Sequence, residues 1–309
     1  MPRSVVAYLP SPSTNVVHLG PLTVHMYGLM LLLGIGASAW LTVRRWTRWG
    51  GQSELVFRVA LWGVLWGIVG ARLYHVVTSW TLVPDPKWQG AFEVWNGGLG
   101  IWGGVLFGCA AGALVVRRAG ASVRWMLDAA APGLLLAQGI GRWGNWWNQE
   151  LFGKPTRLPW ALKISPSHRP PGYLHDATFH PTFLYESFWD LVFVAVLLWI
   201  DRRFTLRRPA LFALYVSFYT AFRSYEETLR IDLGSHYYAG LRLNFFVSLA
   251  VFVASTAFFV WWQFFSRCRL GSRCGAAWAR VEAERRAPTG AAGSVLACAS
   301  RPRQPGCSS

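Results

Sequence analysis

Residues Leu243–Phe265 read LNFFVSLAVFVASTAFFVWWQFF, an apolar run that contains no charged side chain. An α-helix rises about 1.5 Å per residue, so about 20 such residues cross the roughly 30 Å hydrocarbon core of a bilayer. A surface helix of a soluble domain usually carries polar residues along one face. The run therefore predicts a transmembrane helix, and it decides the fold class.

The rest of the chain has the same composition. Of its 309 residues, 53% are hydrophobic and 14% are charged, whereas soluble domains are about a quarter charged. Lipid admits only helices or closed barrels, and barrel strands need only about ten residues. We therefore expect an all-α polytopic membrane protein, a bundle of about seven transmembrane helices. The other six predicted spans are residues 22–43, 55–77, 98–116, 126–147, 182–200 and 210–229.

Arginines are concentrated after every second predicted span. Lys and Arg favour the cytoplasmic side of a membrane, so these clusters predict that the N-terminus is outside and the C-terminus inside. The loop of residues 148–181 runs against this bias, because it carries basic residues on the outer side. The clusters are Arg44, Arg45 and Arg48; Arg117, Arg118 and Arg124; Arg202, Arg203, Arg207 and Arg208; and the arginines of the C-terminal tail.

Composition divides the chain into two parts. Residues 1–266 form a predicted transmembrane domain, and residues 267–309 form a basic cytoplasmic tail that is expected to be disordered. The tail either rests on anionic lipid or is a solvated extension. The net charge is +16, but the basic residues cluster at span ends and in the tail, so we expect no nucleic-acid partner. The cysteines show no metal-ligand spacing, and we expect no metal and no cofactor.

Charged and aromatic side chains recur at one depth in the predicted spans. An ionised group at the centre of a span costs at least about 2.5 kcal/mol, so it normally has a partner and a function. Three arginines each precede the outer end of a span by about five residues, which is about 8 Å. The whole layer consists of Arg72, Arg142, Arg223, Tyr27, Trp102, Tyr185 and Glu186.

An arginine layer near the outer surface predicts a site for an anionic lipid head group. Arginine holds phosphate through two parallel hydrogen bonds and keeps its charge. The alternative is that each arginine pairs privately with an acid, as Arg223 would with Glu227 one helical turn later. For Arg72 alone the two interpretations carry equal weight. Asp128, near the inner boundary, is expected to be structural and able to snorkel, and Asp190 to form an ordinary buried hydrogen bond.

Two glycine-rich stretches lie near the outer ends of spans. In GIGRWGNWWNQE, residues 139–150, Arg142 and Asn145 share a helix face, and Gly153 follows soon after. The second stretch, GGLGIWGG, is residues 97–104 and opens the third span. Its glycines predict either close helix packing or the wall of a pocket beside the arginines.

Five sequence elements resemble those of the bacterial prolipoprotein diacylglyceryl transferase family. The resemblance extends over residues 21–265, agrees with seven spans and an outer N-terminus, and leaves the tail unexplained. The matching residues are His25, Tyr27, Gly28, Leu29 and Met30; Gly70 and Arg72; Gly141, Arg142, Gly144, Asn145, Asn148 and Glu150; His180, Pro181, Tyr185 and Glu186; and Tyr219, Phe222, Arg223, Glu227 and Arg230.

The resemblance implies that the transmembrane domain is an enzyme of the bacterial cytoplasmic membrane, with its site near the extracytoplasmic leaflet. It would move the diacylglyceryl group of phosphatidylglycerol to the lipobox cysteine of a prolipoprotein signal peptide and release glycerol phosphate. Arg142 and Arg223 would hold the phosphate, and Asn145 would hold the glycerol. Glu150 and Glu227 would orient the two arginines. The wider expected site contains Tyr27, Arg72, Gly153, Tyr219 and Arg230.

One position departs from the family pattern. Well-known members carry a histidine, proposed as a base, in the third-span element, and Trp102 stands at that position here. A thiol has a pKa of about 8.5, so Tyr27, His25, Glu227 or the arginines themselves are alternative aids to thiolate formation. The charge layer by itself also fits a transporter or channel for an anionic solute, or another lipid-headgroup transferase.

Overall fold

The computed structural model describes residues 8–20, 22–94, 97–231 and 237–266, and these are mostly helical. The predicted tail, residues 267–309, lies outside the described residues. The helices are α1 (Met26–Arg48), α2 (Ser53–Thr78), α3 (Lys87–Gly90), α4 (Ile101–Arg118), α5 (Val123–Gly141), α6 (Trp143–Asn148), α7 (Thr182–Arg203), α8 (Ala210–Leu229) and α9 (Leu243–Val260). A π-helical turn, Trp261–Phe265, continues α9.

Five of the described helices are long and apolar enough to cross a membrane, namely α1, α2, α4, α7 and α9 with its terminal turn. Leu32, Leu106 and Phe188 are each at least 65% exposed, as expected of side chains that face lipid. The other two predicted spans are also helical, but the fourth divides into α5 and α6 and the sixth, α8, is charged near its end. The protein is a mostly helical, polytopic membrane protein, and seven spans with an outer N-terminus stay a prediction.

Buried ion pairs join four helices at one end of the bundle, which we call the basic end. Arg208 lies 3.1 Å from Asp128 and 3.0 Å from Asp201. Arg45 lies 3.2 Å from the other oxygen of Asp201. Because α1 and α7 end here while α5 and α8 begin here, these helices alternate in direction. Asp128 is fully buried, so it is structural as expected, but it does not snorkel.

Helices α2 and α4 approach each other closely along facing glycines. A Cβ added at Gly103 would overlap the carbonyl oxygen of Gly70, and one added at Gly70 would overlap the carbonyl oxygen of Gly103. Gly63 and Gly108 face each other about two helical turns nearer the basic end. An added Cβ on Gly108 would lie 3.0 Å from the carbonyl oxygen of Gly63. Of the two interpretations of residues 97–104, close packing therefore holds for Gly103.

Short strands lie at the opposite end of the bundle, which we call the capped end. The strands are β1 (Tyr8–Pro10), β2 (Val16–Leu19), β3 (Leu22–His25), β4 (Ala161–Lys163), β5 (Thr178–Phe179), β6 (Tyr237–Tyr238) and β7 (Leu241–Arg242). They form a sheet in the order β1-β4-β5, with β1 parallel to β4, and two antiparallel hairpins, β2-β3 and β6-β7.

The all-α expectation is therefore corrected outside the spans. The predicted outer loop, residues 148–181, contains two strands and an apolar cluster that includes Phe152, Leu162, Ile164 and Phe179. Beyond the hydrocarbon core, backbone groups can pair between segments or with water, so strands are tolerated there. This small layer packs against Trp146 of α6 and Phe183 of α7, and Lys154 donates its backbone N–H to the Leu229 carbonyl at the end of α8.

Gly103→Ala is expected to lower the thermal unfolding temperature, because overpacking a helix contact costs about 1–3 kcal/mol. Gly36 in α1 has nothing within 4 Å of an added Cβ, so Gly36→Ala is the matched control. That control should be neutral or stabilising by up to about 1 kcal/mol. Thermal unfolding in detergent measures both variants, and equal unfolding temperatures would contradict the packing role of Gly103.

Candidate active site

Arg142 lies between α5 and α6 at the capped end. Its Nη2 is 2.6 Å from Oε1 of Glu186 on α7 and donates a 3.2 Å hydrogen bond to the hydroxyl of Tyr219 on α8. The Glu186 side chain is 1% exposed, so its charge requires this partner. Within the described residues, Nε and Nη1 of Arg142 donate no hydrogen bond, which leaves them for a ligand.

Arg223 on α8 meets three glutamates. Its Nη1 lies 2.6 Å from Oε2 of Glu226, and its Nη2 lies 2.5 Å from Oε1 of Glu227. The same Nη1 is 3.8 Å from Oε2 of Glu186. Arg142 and Arg223 are thus brought together on either side of one carboxylate. The private pair Arg223–Glu227 is present as well. The shared arginine layer and the private pair, which the sequence offered as alternatives, therefore occur together in one connected cluster.

Glu227 links this cluster to two further arginines. Its Oε1 lies 3.5 Å from Nη1 of Arg230, and its Oε2 lies 3.2 Å from Nε of Arg242. Both arginines are buried. Sequence analysis missed Arg242 because it precedes a different helix, α9, and no spacing relates it to α8. Glu226 was also left out of the predicted site, although it lies three residues after Arg223 on the same helix.

Glu150 contacts amides, which corrects the expectation that it orients an arginine. Asn145 Nδ2 donates to Oε1 of Glu150 at 2.9 Å, and Asn148 Nδ2 donates to the same oxygen at 3.2 Å. Asn15, before α1, donates to Oδ1 of Asn148 at 3.2 Å. The carboxylate that contacts Arg142 is Glu186 instead. Asn145 is buried and Glu150 is exposed.

A strained turn after α6 positions Glu150. Gln149 and Leu151 have φ angles of 53° and 56°, in the left-handed region that costs non-glycine residues about 1–3 kcal/mol. The Gln149 side chain holds the turn from both sides. Its Nε2 donates to the Pro12 carbonyl at 2.9 Å, and its Oε1 accepts from the Ser165 amide at 2.8 Å.

Gly144 of the arginine motif and Gly153 of the predicted site both allow close packing. A Cβ added at Gly144 would lie 2.5 Å from the Tyr27 ring, so this ring packs against the backbone of the arginine motif. Gly153 forms an isolated β-bridge with Arg230, and its added Cβ would lie 2.9 Å from Cβ of His180. Gly153 therefore lets the loop reach Arg230.

His180 and Tyr185 form a short polar chain near the start of α7. A hydrogen bond of 3.1 Å joins the His180 Nδ1 and the Tyr185 hydroxyl, and Trp160 donates to that hydroxyl at 3.0 Å. Burial and, to a lesser extent, Lys154 lower the pKa of His180. Its ordinary pKa is about 6.5, so the imidazole is neutral at pH 7 and adds no charge to the cluster.

Arg72 has a different role from the one expected. Its Nε donates to the Ala91 carbonyl at 3.0 Å, and its Nη1 donates to the carbonyls of Gly97 at 2.6 Å and Gly98 at 3.0 Å. Its Nη2 donates to the Gly90 carbonyl. These bonds engage every guanidinium nitrogen, so Arg72 shapes the segment between α3 and α4. Neither an acidic partner nor a place beside Arg142 is found for it among the described residues.

The surroundings of Trp102 and Asp190 test two further expectations, a substitute for the family histidine and a buried hydrogen bond. Trp102, in the first turn of α4, is 55% exposed, and an indole has no basic nitrogen. Asp190 is fully buried one helical turn after Glu186. Its carboxylate oxygens accept no hydrogen bond from the described residues, so the ordinary buried hydrogen bond expected for Asp190 is not found.

Comparison with known proteins assigns this chain to a family. The family model for prolipoprotein diacylglyceryl transferase matches residues 14–261. The chain belongs to the prolipoprotein diacylglyceryl transferase family. Membership confirms the resemblance drawn from the five sequence elements, and with it the expected enzyme class, a transferase.

Named relatives are similar over most of their length. The chain is 49% identical over 258 residues to phosphatidylglycerol–prolipoprotein diacylglyceryl transferase 2 of Streptomyces coelicolor, covering 82% of this chain and 80% of that protein. It is 48% identical over 254 residues to the phosphatidylglycerol–prolipoprotein diacylglyceryl transferase of Cutibacterium acnes, covering 82% and 86%. The matched region of this prolipoprotein diacylglyceryl transferase family member contains the whole arginine cluster.

Arg72→Lys is expected to destabilise the protein and to leave kcat/KM per folded molecule nearly unchanged. A single ammonium cannot replace a planar fork that reaches four carbonyls, and each lost charged hydrogen bond costs about 1.5–3 kcal/mol. Arg58→Lys, at an exposed position of the same helix, is the control. Thermal unfolding and transferase activity measure the two effects. If Arg72→Lys left the unfolding temperature unchanged and raised the KM for lipid, Arg72 would be a substrate-binding residue and its structural role would be contradicted.

Proposed function

We propose that this membrane enzyme transfers the diacylglyceryl group of phosphatidylglycerol to the lipobox cysteine thiol of a prolipoprotein, the first step of lipoprotein maturation. A carbon–sulfur bond forms at the glyceryl carbon and the carbon–oxygen bond to phosphate breaks. Glycerol phosphate leaves with the electron pair of that bond and takes up the proton that the thiol gives up. The observation that carries the proposal is the pair Arg142 and Arg223 on either side of Glu186, in a chain of this family.

The two arginines bind the phosphate in this scheme. The phosphate gains negative charge as its bond to carbon breaks, so groups that bind the departing form more strongly accelerate the reaction. Donors already aimed at that position are most effective where water is scarce. The side chains of Arg142 and Arg223 are 18% and 17% exposed, so a head group can reach them from one side.

Three glutamates hold the arginines in position before the lipid arrives. Glu186, Glu226 and Glu227 are each at most 2% exposed, and buried contacts of this kind resist rearrangement. The arginines therefore need little reorganisation when the phosphate binds. Arg230, next to Glu227, and Tyr219, next to Arg142, complete the lipid-binding residues.

Asn145 and Glu150 are assigned to the glycerol of the head group. A hydroxyl both donates and accepts, and an amide beside a carboxylate offers a donor and an acceptor. The hydrogen bond of 2.9 Å between them places this donor and this acceptor side by side, within the same sequence motif as Arg142.

Thiolate formation does not require a histidine at position 102 in this scheme. The thiol pKa of about 8.5 falls beside positive charge, so the arginines favour the thiolate. Three arginines already contact the Glu227 carboxylate, so Glu227 is assigned to holding them in place. Tyr27, packed against Gly144 of the arginine motif, is assigned to relay the proton.

The proposed site faces the extracytoplasmic leaflet of the bacterial cytoplasmic membrane, with seven spans and the N-terminus outside. The alternating direction of α1, α5, α7 and α8 supports this placement, since the arginine-rich ends gather at the basic end and favour the cytoplasm. A transporter for an anionic solute would place charges through the midplane. The described ion pairs lie instead at the two ends of the bundle, and no observation favours transport.

Purified protein given phosphatidylglycerol with labelled acyl chains and a lipobox peptide is expected to label the peptide cysteine. Arg142→Ala should lower kcat/KM by about 10²–10³-fold, because a donor aimed at the developing charge is lost. Arg58→Ala, at an exposed arginine of the basic end, should match wild type, and a Cys→Ser peptide should accept no label. Transfer that survives Arg142→Ala would refute the residue assignment. Absence of transfer by folded wild-type protein would refute the function.

Asn145→Ala and Glu150→Ala are expected to lower kcat/KM to a similar extent, and the double variant should be little worse than either. When two side chains act through one contact, either substitution removes that contact. The free-energy loss of the double variant is then smaller than the sum of the two single losses, by about 0.5–3 kcal/mol. Steady-state kinetics of wild type, both single variants and the double variant measure this coupling. Additive losses would show that Glu150 does not act through Asn145.

A further inference from the structure

A cavity lies at the basic end, where no part of the proposed reaction takes place. It has a volume of about 330 Å³ and opens between α1 and α7, within the roughly 300–1,000 Å³ typical of small-molecule sites. Its walls include Leu41, Leu136, Val194 and Leu198. These side chains supply an apolar groove without hydrogen-bonding groups, which suits a hydrocarbon chain.

Three arginines form the rim of this cavity, and we call them the arginine rim. They are Arg44, Arg48 and Arg202, and all three are exposed. Within the described part of the chain none of them forms an ion pair. Arg44 stacks on Trp40, with its guanidinium carbon 4.3 Å from the ring centre, which limits its range of positions.

The inner part of the cavity is nearly neutral. Asp201 is its only acidic lining residue among those described. Its two oxygens lie 3.2 Å from Arg45 and 3.0 Å from Arg208, so its charge is already balanced by buried partners. The unbalanced charge of the cavity is therefore the positive charge of the arginine rim.

We propose that this groove binds one anionic diacyl phospholipid from the leaflet opposite to the candidate active site. An acyl chain lies along the apolar walls, and the phosphate contacts the arginine rim. Basic pockets between transmembrane helices recognise anionic head groups in this way. The inference depends on the groove and not on the proposed reaction, and under the proposed orientation the leaflet is the cytoplasmic one.

Other occupants have the wrong charge. The C-terminal residues 267–309 are rich in arginine and would meet the arginine rim with like charge. A second copy of the chain would bring an identical positive rim to the interface. An anionic lipid combines the negative charge and the long apolar chain that the two parts of the groove require.

Three other arginines allow a matched control. Arg58, Arg117 and Arg118 are also exposed at the basic end, where α2 begins and α4 ends, but none of them lines the groove. A general attraction between a basic surface and anionic lipid would depend on both sets equally. A built site would depend on the arginine rim alone.

The test is photocrosslinking of the full-length protein in neutral detergent, with phosphatidic acid that carries a diazirine in its acyl chain, followed by peptide mapping. Labelling of residues 40–49 and 194–202 is expected. Arg44→Gln, Arg48→Gln and Arg202→Gln together should weaken half-maximal labelling there by at least about tenfold, since three such charges are worth up to about a hundredfold in affinity. The triple variant Arg58→Gln, Arg117→Gln and Arg118→Gln should behave as wild type.

Two further measurements separate the lipid from its parts. Val194→Phe fills the groove without changing charge and should reduce labelling, with an unchanged elution volume showing that the variant is folded. Diazirine-labelled phosphatidylcholine should label the groove weakly, and free glycerol phosphate should not compete. Equal labelling by both lipids, competition by glycerol phosphate, equal loss in both triple variants, or a wild-type dimer that only the arginine-rim variant breaks would each overturn the proposal.

Discussion

The carboxylate of Glu186 lies between Arg142 and Arg223, and the arrangement of three helices depends on it. A charge at this depth is tolerated only when a partner compensates it, and removing one partner of a buried pair typically costs about 3–5 kcal/mol. Arg142 reaches Glu186 from the end of α5, and Arg223 reaches it from α8. Without this carboxylate, two guanidinium groups would repel each other where the proposed chemistry needs them close.

The same three helices are joined again at the basic end. Asp128 on α5 pairs with Arg208 just before α8, and Arg208 pairs with Asp201 on α7. Helices joined by ion pairs at both ends have little freedom to slide, because every shift separates buried opposite charges. The basic end therefore contributes to the arginine geometry at the capped end, although it takes no part in the proposed reaction.

Local backbone features complete the site. Gly144 and Gly153 let Tyr27 and the segment after α6 approach their neighbours more closely than any side chain would allow. The left-handed turn at Gln149 brings Glu150 back to Asn145. In the proposed function, Asn145 and Glu150 supply a donor and an acceptor for the glycerol of phosphatidylglycerol, and Arg142 and Arg223 bind its phosphate.

The sequence alone determined the membrane fold and the family, because apolar runs and closely spaced motifs are local properties of a chain. It also placed Arg142, Arg223 and Glu186 in one layer, since helical rise converts residue number into depth. Only the tertiary structure decided which partners those charges have. Arg242 contacts Glu227 from strand β7, Glu150 accepts hydrogen bonds from Asn145 and Asn148, and Arg72 donates to backbone carbonyls. Depth along a helix follows from sequence position, but the direction in which a long side chain finds its partner depends on how the helices pack.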